Sequence, residues 1–154
     1  VDKQVYYDEG IYVGYRWFNT KAIAPQFPFG FGLSYTTFKY GKPTLSAQTM
    51  DKNGKITLSV AVTNTGRMAG KETVELFIGD DKCSEERPKK ELKNFAKVAL
   101  APGETKTVSF DITSSDLEYW SECTHGFVAE PGTFTAYVCA SETDVRQTAK
   151  FELK

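Results

Sequence analysis

The stretch GKITLSVAVTNTGRMAGKETVELFIGD, residues 54–80, decides the fold of this chain. Apolar side chains alternate with more polar ones in two runs, which contain Ile56, Leu58, Val60 and Val62 and then Val74, Leu76 and Ile78. Such alternation puts one set of side chains on a buried face and the other toward water, which is typical of β-strands. Between the runs, Asn64, Gly66 and Gly70 are predicted to supply the positive φ angles of a strand reversal. Because two strands are not stable alone in water, further strands must cover this face.

Length and composition favour one domain, or one domain with an appendage, in this chain of 154 residues. With 40% hydrophobic residues the chain can bury a sizeable core. Its net charge of −1 provides no cluster of cations for nucleic acid or an anionic membrane, so we expect neither partner. No apolar run approaches the roughly 20 residues of a membrane span. No signal peptide opens the sequence, but an excised piece would also lack one, so the compartment stays open.

The cysteines and the lone histidine do not form a metal-binding pattern. Cys83, Cys123 and Cys139 are unevenly spaced without a CxxC pair, and His125 is the only histidine. We therefore predict no metal site and no cofactor, and we interpret the cysteines as unreactive thiols and His125 as a loop residue. A disulfide between Cys83 and Cys123 stays open at this stage.

The first 35 residues are dense in aromatic side chains. Residues 1–18 are predicted to contain a strand with large side chains on both faces, which needs cover on both sides. A downstream sandwich offers one side, so this strand is expected to pack against something outside the chain; the alternative is an edge strand with an aromatic outer face. In the following PQFPFGFGLSY, residues 25–35, proline and glycine exclude a helix, and we predict an extended segment held by aromatic packing.

The remainder predicts short strands separated by turns, as in a sandwich or barrel. Strands are expected in residues 38–49 with interruptions at Gly41 and Pro43, in 91–100 with a bulge, in 105–113, in 134–138 and in 145–153. A type II turn is expected at residues 101–104 and a short helical turn at 114–117.

Several motifs together resemble the C-terminal part of family 3 glycoside hydrolases, the β-glucosidases and β-xylosidases. They are EGIYVGYRWF (9–18), FPFGFGLSYT (27–36), VTNTG (62–66), AGKE (69–72), RP (87–88), KELK (90–93) with Phe95, KVAL (97–100), PGET (102–105) and EPGTF (130–134). Residues 83–86, residues 121–127 and Cys139 depart from the family's pattern without affecting the assignment. The resemblance covers nearly the whole chain.

The resemblance implies an all-β fold, an immunoglobulin/fibronectin III-like antiparallel β-sandwich with an N-terminal extended aromatic segment. Residues 1–24 would be the terminal strand of a preceding α/β-sandwich domain, residues 25–36 an aromatic Pro/Gly connector, and residues 37–154 a fibronectin type III-like domain. The partners implied are the preceding catalytic domains of the same protein. An exposed apolar strand also leaves pairing into a homodimer open.

No catalytic residue is assigned to this chain. Glycoside hydrolysis needs two facing carboxyl groups about 5 to 10 Å apart, and adjacent acids on a strand point to opposite faces. The candidate acids lie mostly in charged loops: Asp8, Glu9, Asp80, Asp81, Glu85, Glu86, Asp116, Glu118 and Glu122. The family's nucleophilic aspartate belongs to a Ser-Asp-Trp motif in a barrel of about 250 residues, and neither is present in this sequence.

The aromatic residues near the N-terminus are predicted to form a contact between domains, since large rings bury much area at low entropic cost. The predicted contact residues are Tyr12, Tyr15, Trp17, Phe27, Phe29, Phe31 and Tyr35. The function expected is a non-catalytic structural domain of an enzyme that hydrolyses terminal β-linked sugars with retention, as the resemblance implies. Two alternatives stay open: a carbohydrate-binding module, and a free-standing immunoglobulin-like adhesion or interaction module.

Overall fold

The structure, a computed structural model, describes residues 3–154, and its regular secondary structure consists mainly of strands. One helix, α1 (Tyr15–Thr20), precedes the first strand, and a single 3₁₀ turn (Ser114–Asp116) interrupts the later ones. The strands are β1 (Phe38–Tyr40), β2 (Thr44–Leu45), β3 (Thr49–Met50), β4 (Lys55–Asn64), β5 (Gly70–Asp80), β6 (Glu91–Leu100), β7 (Thr105–Thr113), β8 (Tyr119–Ser121), β9 (Gly126–Val128), β10 (Gly132–Cys139) and β11 (Val145–Leu153).

Two main sheets form the predicted all-β sandwich. In the four-stranded sheet, β4 pairs with β7 along nearly its whole length and with the short strands β1 and β2. The five-stranded sheet has the order β3-β11-β10-β5-β6 and is antiparallel except for the β3–β11 pair. Strands β8 and β9 form a separate hairpin. The predicted fold class is thereby confirmed.

The core lies between the two sheets and consists of the alternating apolar residues that the sequence indicates. Buried side chains come from β4 (Ile56, Leu58, Val60, Val62), β5 (Val74, Leu76, Ile78), β7 (Val108, Phe110, Ile112), β10 (Phe134, Ala136, Val138) and β11 (Phe151, Leu153). The rings of Phe134 and Phe151 stack with centroids 5.8 Å apart. Burial of each large apolar side chain contributes about 1.5–3 kcal/mol, which makes this layer the main source of stability.

The reversal after β4 is present, but it joins strands of different sheets, and its glycines act differently from the prediction. Neither Gly66 nor Gly70 has a positive φ angle. They are needed because the connector passes close by: an added Cβ would lie 2.2 Å from Thr36 Oγ1 at Gly66 and 2.6 Å from Thr36 Cγ2 at Gly70. The prediction of positive φ here was wrong, since close approach of a distant segment is invisible in a local pattern.

Other turns and irregularities follow the predictions. Gly103 has a φ angle of 76°, and the Glu104 N–H donates to the Ala101 carbonyl at 3.0 Å, as a type II turn requires. The predicted bulge in β6 is present, because the register with β5 shifts between Leu76 and Phe77. The 3₁₀ turn begins with a capping box between Thr113 and Asp116.

The N-terminal segment differs from the predicted extended strand. Residues 3–7 have no regular structure, residues 8–14 consist mostly of turns, and α1 follows; Val1 and Asp2 lie outside the described residues. Gly10 and Gly14 have φ angles of 56° and 67°, which bend the chain where the strand was expected. A strand needs a neighbour for its backbone groups, and no strand of the described sandwich lies beside this segment. The connector, residues 25–36, contains no helix, as predicted.

Candidate docking surface

The N-terminal segment and the connector pack on the outer face of the five-stranded sheet. Phe77 of β5 points away from the core cluster and is nevertheless fully buried. The ring of Tyr15 meets Phe77 edge-on, with centroids 5.7 Å apart, and lies 5.2 Å from Phe29 of the connector. The Tyr15 hydroxyl also accepts a hydrogen bond from the Leu92 N–H at 2.9 Å. One aromatic side chain therefore joins α1, the connector and the sheet.

Polar contacts extend this anchoring. Arg16 forms an ion pair with Glu91 of β6 at 2.9 Å, and Asn19 donates to Glu142 at 2.5 Å. The Tyr12 hydroxyl donates to Glu86 at 2.7 Å, and burial together with this carboxylate raises the pKa of Tyr12 to about 12. The N-terminal segment thus contacts the sandwich at three separate places.

The seven residues predicted to make domain contacts divide into two groups. The first group packs within this chain: Tyr12 and Tyr15 contact the sandwich, and Phe29 contacts Tyr15. Trp17 is half-buried, and the Lys21 ammonium lies 4.9 Å from its ring. Phe27 and Phe31 lie 5.5 Å apart and are largely exposed. Tyr35 is 97% exposed. The structure therefore does not bring all seven to one surface.

Exposed apolar side chains are concentrated in the first 35 residues. Of the seventeen large hydrophobic side chains exposed in the described residues, twelve belong to this part: Val5, Tyr6, Tyr7, Ile11, Val13, Phe18, Ile23, Phe27, Phe29, Phe31, Leu33 and Tyr35. Apolar side chains scattered singly on a surface are normal, whereas a large contiguous apolar patch marks an interaction site. We call the outward-facing part of this set, Phe27, Phe31, Leu33 and Tyr35, the connector surface.

The β8–β9 hairpin exposes two further aromatic rings that the sequence interpretation missed. Trp120 and Phe127 lie directly across from each other with centroids 5.4 Å apart. Their rings are nearly perpendicular, at 79°. In the sequence, the sign of this hairpin is the pair of aromatic residues on either side of the polar turn at residues 122–125. That sign is weak, because aromatic residues are frequent throughout this chain.

Most of the acidic candidates take part in structural contacts. Asp80 pairs with Arg87 at 3.4 Å, Glu85 accepts from Ser121 at 2.6 Å, and Asp116 caps the 3₁₀ turn. Burial raises the pKa of Asp81, but hydrogen bonds from Lys150 and Thr135 outweigh it and hold that pKa below its ordinary value. These acids serve as ion-pair partners, hydrogen-bond acceptors and caps.

The histidine and the three cysteines lie in different environments. His125 is exposed at the tip of the β8–β9 hairpin with a φ angle of 50°. All three thiols are free: Cys83 is half-buried, Cys123 is exposed and Cys139 is buried. Within residues 3–154, no group of histidine, cysteine and acidic side chains is arranged to hold a metal ion. No helix in the same residues is long and apolar enough to cross a membrane.

Replacement of Tyr15 by alanine is expected to detach α1 from the sheet. The variant loses the ring contacts with Phe29 and Phe77 and leaves the Leu92 N–H without its side-chain acceptor. Truncation of an aromatic ring that is only half-buried should lower the free energy of unfolding by about 2 kcal/mol. Urea denaturation measures this change. Tyr7→Ala, whose ring is 86% exposed, is the control and should change stability by less than about 0.5 kcal/mol.

Comparison with known proteins identifies both the sandwich and its context. A family of fibronectin type III-like domains matches residues 72–142. A β-glucosidase of Bacteroides ovatus, BoGH3A, is 54% identical over 95% of this chain, and the match covers 20% of that protein. The chain thus spans about a fifth of the length of the curated relatives it matches.

Solved structures extend the match to the N-terminal segment. The GH3 β-glucosidase of Bifidobacterium adolescentis superposes with a TM-score of 0.89 at 37% identity, over 96% of this chain and 21% of that one. The β-glucosidase DesR of Streptomyces venezuelae, in complex with D-glucose, gives a TM-score of 0.91 at 36% identity, over all of this chain and 20% of that one. The helix, the connector and the sandwich therefore recur together inside much longer chains.

Proposed function

The chain is a fibronectin type III-like region of the glycoside hydrolase family 3 type, and on this premise we propose that it is the non-catalytic C-terminal structural domain of a β-glucosidase-like enzyme. Residues 1–24 would complete a preceding α/β domain, residues 25–36 would connect it to the sandwich, and residues 37–154 would form the bracing domain. The single observation that carries this proposal is the connector surface, where large apolar side chains face away from the sandwich.

The chemistry of the whole protein would come from the part that precedes this chain. We propose that it hydrolyses terminal β-linked sugars with retention, through a covalent glycosyl-enzyme intermediate. Both catalytic carboxyl groups would lie in the preceding domains, and the candidate acids Asp80, Glu85 and Asp116 of this chain are engaged in an ion pair, a hydrogen bond and a cap. The bracing role would be to hold those domains in place from the outside.

The geometry favours bracing over the two alternatives. A carbohydrate-binding module would present aromatic rings in one plane to stack on successive sugars, but the planes of Phe27 and Phe31 are inclined by 38°. A free-standing adhesion module would tuck its first strand into its own sandwich. Instead, Ile11 and Val13 are 52% and 60% exposed and belong to no strand.

The proposal predicts that the connector surface stabilises the longer enzyme and not this chain alone. Phe27, Phe31 and Tyr35 are replaced together by serine, in both the longer enzyme and the isolated chain. Because three large side chains would lose buried area only in the longer enzyme, its midpoint of thermal inactivation should fall by about 5–10 °C, while that of the isolated chain should stay within about 2 °C. Activity measured against temperature and differential scanning calorimetry record the two midpoints.

The matched control is Phe95→Ser, which removes a ring that is 65% exposed on β6, outside the connector surface. It should leave the midpoint of the longer enzyme nearly unchanged. The proposal would be contradicted if Phe95→Ser lowered the midpoint of the longer enzyme as much as the triple variant does, or if the triple variant did not lower it.

A further inference from the structure

A carboxyl group lies buried beneath the connector, on the outer face of the five-stranded sheet. Glu75 of β5 is only 4% exposed, and its Oε2 atom has no hydrogen-bond partner among residues 3–154. The backbone of Gly30 lies directly against it: a Cβ added at Gly30 would lie 2.1 Å from Glu75 Oε1. Gly30 has a φ angle of 78°, so its conformation also favours glycine. The connector therefore closes over this carboxyl without leaving room for a side chain.

The nearby charges are already engaged with each other. Lys90 donates to the Glu142 carbonyl oxygen, and its ammonium lies 3.3 Å from Glu142 Oε1. It also lies over the rings of Phe77 and Tyr137 at 5.1 and 5.6 Å. The Glu142 side chain further accepts from Asn19 of α1. Among the described residues, Lys90 is the cation that acts on Glu75, and it is already ion-paired with Glu142.

The same Glu142 joins this cluster to the connector. Its backbone N–H donates to the Phe29 carbonyl at 2.8 Å, next to Gly30. Cys139 of β10 lies directly across from Glu75 in the sheet register and is fully buried. Tyr15 and Tyr137 lie on the same face, Asp144 lies near Cys139, and Lys150 lies near Tyr137 and pairs with Asp81. Connector, sheet and the β10–β11 turn therefore meet at one ionisable cluster.

Protonation of Glu75 is linked to closure of the connector. Burial raises the pKa of Glu75 to about 7, against the lowering effect of Lys90 and with a further contribution from Glu142. With the connector lifted, the carboxyl would be solvated and its pKa would be near the ordinary value of 4.5. The closed form therefore binds a proton more tightly than the open form. Closure is strongest below about pH 4.5 and weakens as the pH rises through the interval up to about 7.

We propose that Glu75, enclosed by Gly30 and the Lys90–Glu142 pair, is a pH-sensitive latch that holds the connector on the sandwich when protonated and releases it when ionised. Release would free the link between the sandwich and the N-terminal segment without unfolding either sheet. The latch uses only contacts within this chain, so it does not depend on the proposed bracing role.

The thiol of Cys139 reports on the latch, because it lies on the covered face beside Glu75. In a Cys83→Ser background, labelling with 4,4′-dithiodipyridine compares buried Cys139 with exposed Cys123 in the same molecule. The ratio of the two rates cancels the ordinary pH dependence of thiol reactivity. From pH 5 to pH 8 the ratio should rise about 50- to 100-fold, as the linkage between the two pKa values requires.

Two variants distinguish the latch from general loosening of the fold. Glu75→Gln cannot ionise, so its ratio should stay within about 3-fold across the same pH range. Glu152→Gln, a change of the same kind on the exposed side of β11, should retain the full rise. A rise that persists in Glu75→Gln, or a ratio that does not change with pH in the parent protein, would overturn the proposal.

Two further measurements apply whether or not the glutamine variant folds. Labelling of Cys139 at pH 8 should be insensitive to low urea concentrations, since a local opening exposes little surface. A urea dependence equal to that of global unfolding would overturn the latch. The ¹³C signal of the Glu75 carboxyl should titrate with a midpoint between the ordinary value of 4.5 and about 7, and a midpoint at 4.5 would contradict the latch.

Discussion

Replacement of Asn64 by alanine should lower the free energy of unfolding by about 3–5 kcal/mol, one of the two largest losses expected in this chain. The Asn64 side chain is completely buried at the end of β4. Its amide donates to the carbonyls of Met68 at 2.8 Å and Leu100 at 3.1 Å. Its carbonyl oxygen accepts from the Gly66 N–H at 3.0 Å and from the Thr36 hydroxyl at 2.5 Å. Alanine would remove all four hydrogen bonds and leave the buried Leu100 carbonyl without this donor.

The size of this effect follows from the number of segments that Asn64 joins. These are the connector, the crossing between the sheets and the end of β6. Urea denaturation monitored by circular dichroism measures the loss. Thr63→Ala removes the neighbouring hydroxyl, which is bonded to Thr105 on the exposed face, and should lower stability by less than about 1 kcal/mol. Similar losses in the two variants would contradict a special role for Asn64.

Replacement of Arg87 by methionine should lower the free energy of unfolding by about 3–5 kcal/mol. The guanidinium is only 10% exposed and lies 3.4 Å from Asp80 and 3.2 Å from Glu91. It also donates to the Leu117 carbonyl at 3.2 Å and lies 4.9 Å from the Tyr119 ring. Methionine keeps much of the apolar volume but leaves the buried Asp80 carboxylate, 4% exposed, without its cation. An uncompensated buried charge accounts for most of the expected loss.

A second substitution tests that explanation. Asp80→Asn combined with Arg87→Met removes both charges, and the double variant should recover about 1–3 kcal/mol relative to the sum of the single changes. Arg67→Met, at an exposed position between β4 and β5, is the control and should change stability by less than about 0.5 kcal/mol. If the two single losses in the free energy of unfolding add exactly in the double variant, the broken ion pair with Asp80 is not the cause of the loss in Arg87→Met.

The sandwich was predictable from the sequence because its strands are long and one face of each is uniformly apolar. Val60 and Leu76, for example, lie in runs with period-2 alternation, and both are buried as predicted. The roles of Gly66 and Gly70 were not predictable, because they depend on Thr36, a residue more than 25 positions away along the chain. Local patterns report local conformation, and close approach of distant segments leaves no local signal.

The outer face of the five-stranded sheet is a second region where the local sequence pattern could not predict burial. Glu75 occupies a position in β5 that alternation assigns to solvent, yet it is buried because the connector and α1 cover it. The seven aromatic residues of the predicted domain contact were identified by type, but which of them are buried depends on the course of the backbone, which has positive φ angles at Gly10, Gly14 and Gly30. Composition therefore predicted aromatic contacts in this part of the chain, and only the structure separated the rings that pack on the sandwich from those that are exposed.

Amide hydrogen exchange tests most directly whether this chain is a docked part of a longer enzyme. Residues 10–18 are compared with residues 56–78, in the isolated chain and in the longer protein. We predict faster exchange in residues 10–18 than in residues 56–78 of the isolated chain, because a six-residue helix held by few contacts opens locally, and slow exchange of both in the longer protein. Equal protection of the two stretches in the isolated monomer would mean that the chain is self-sufficient, and would contradict its role as a domain that depends on its neighbours.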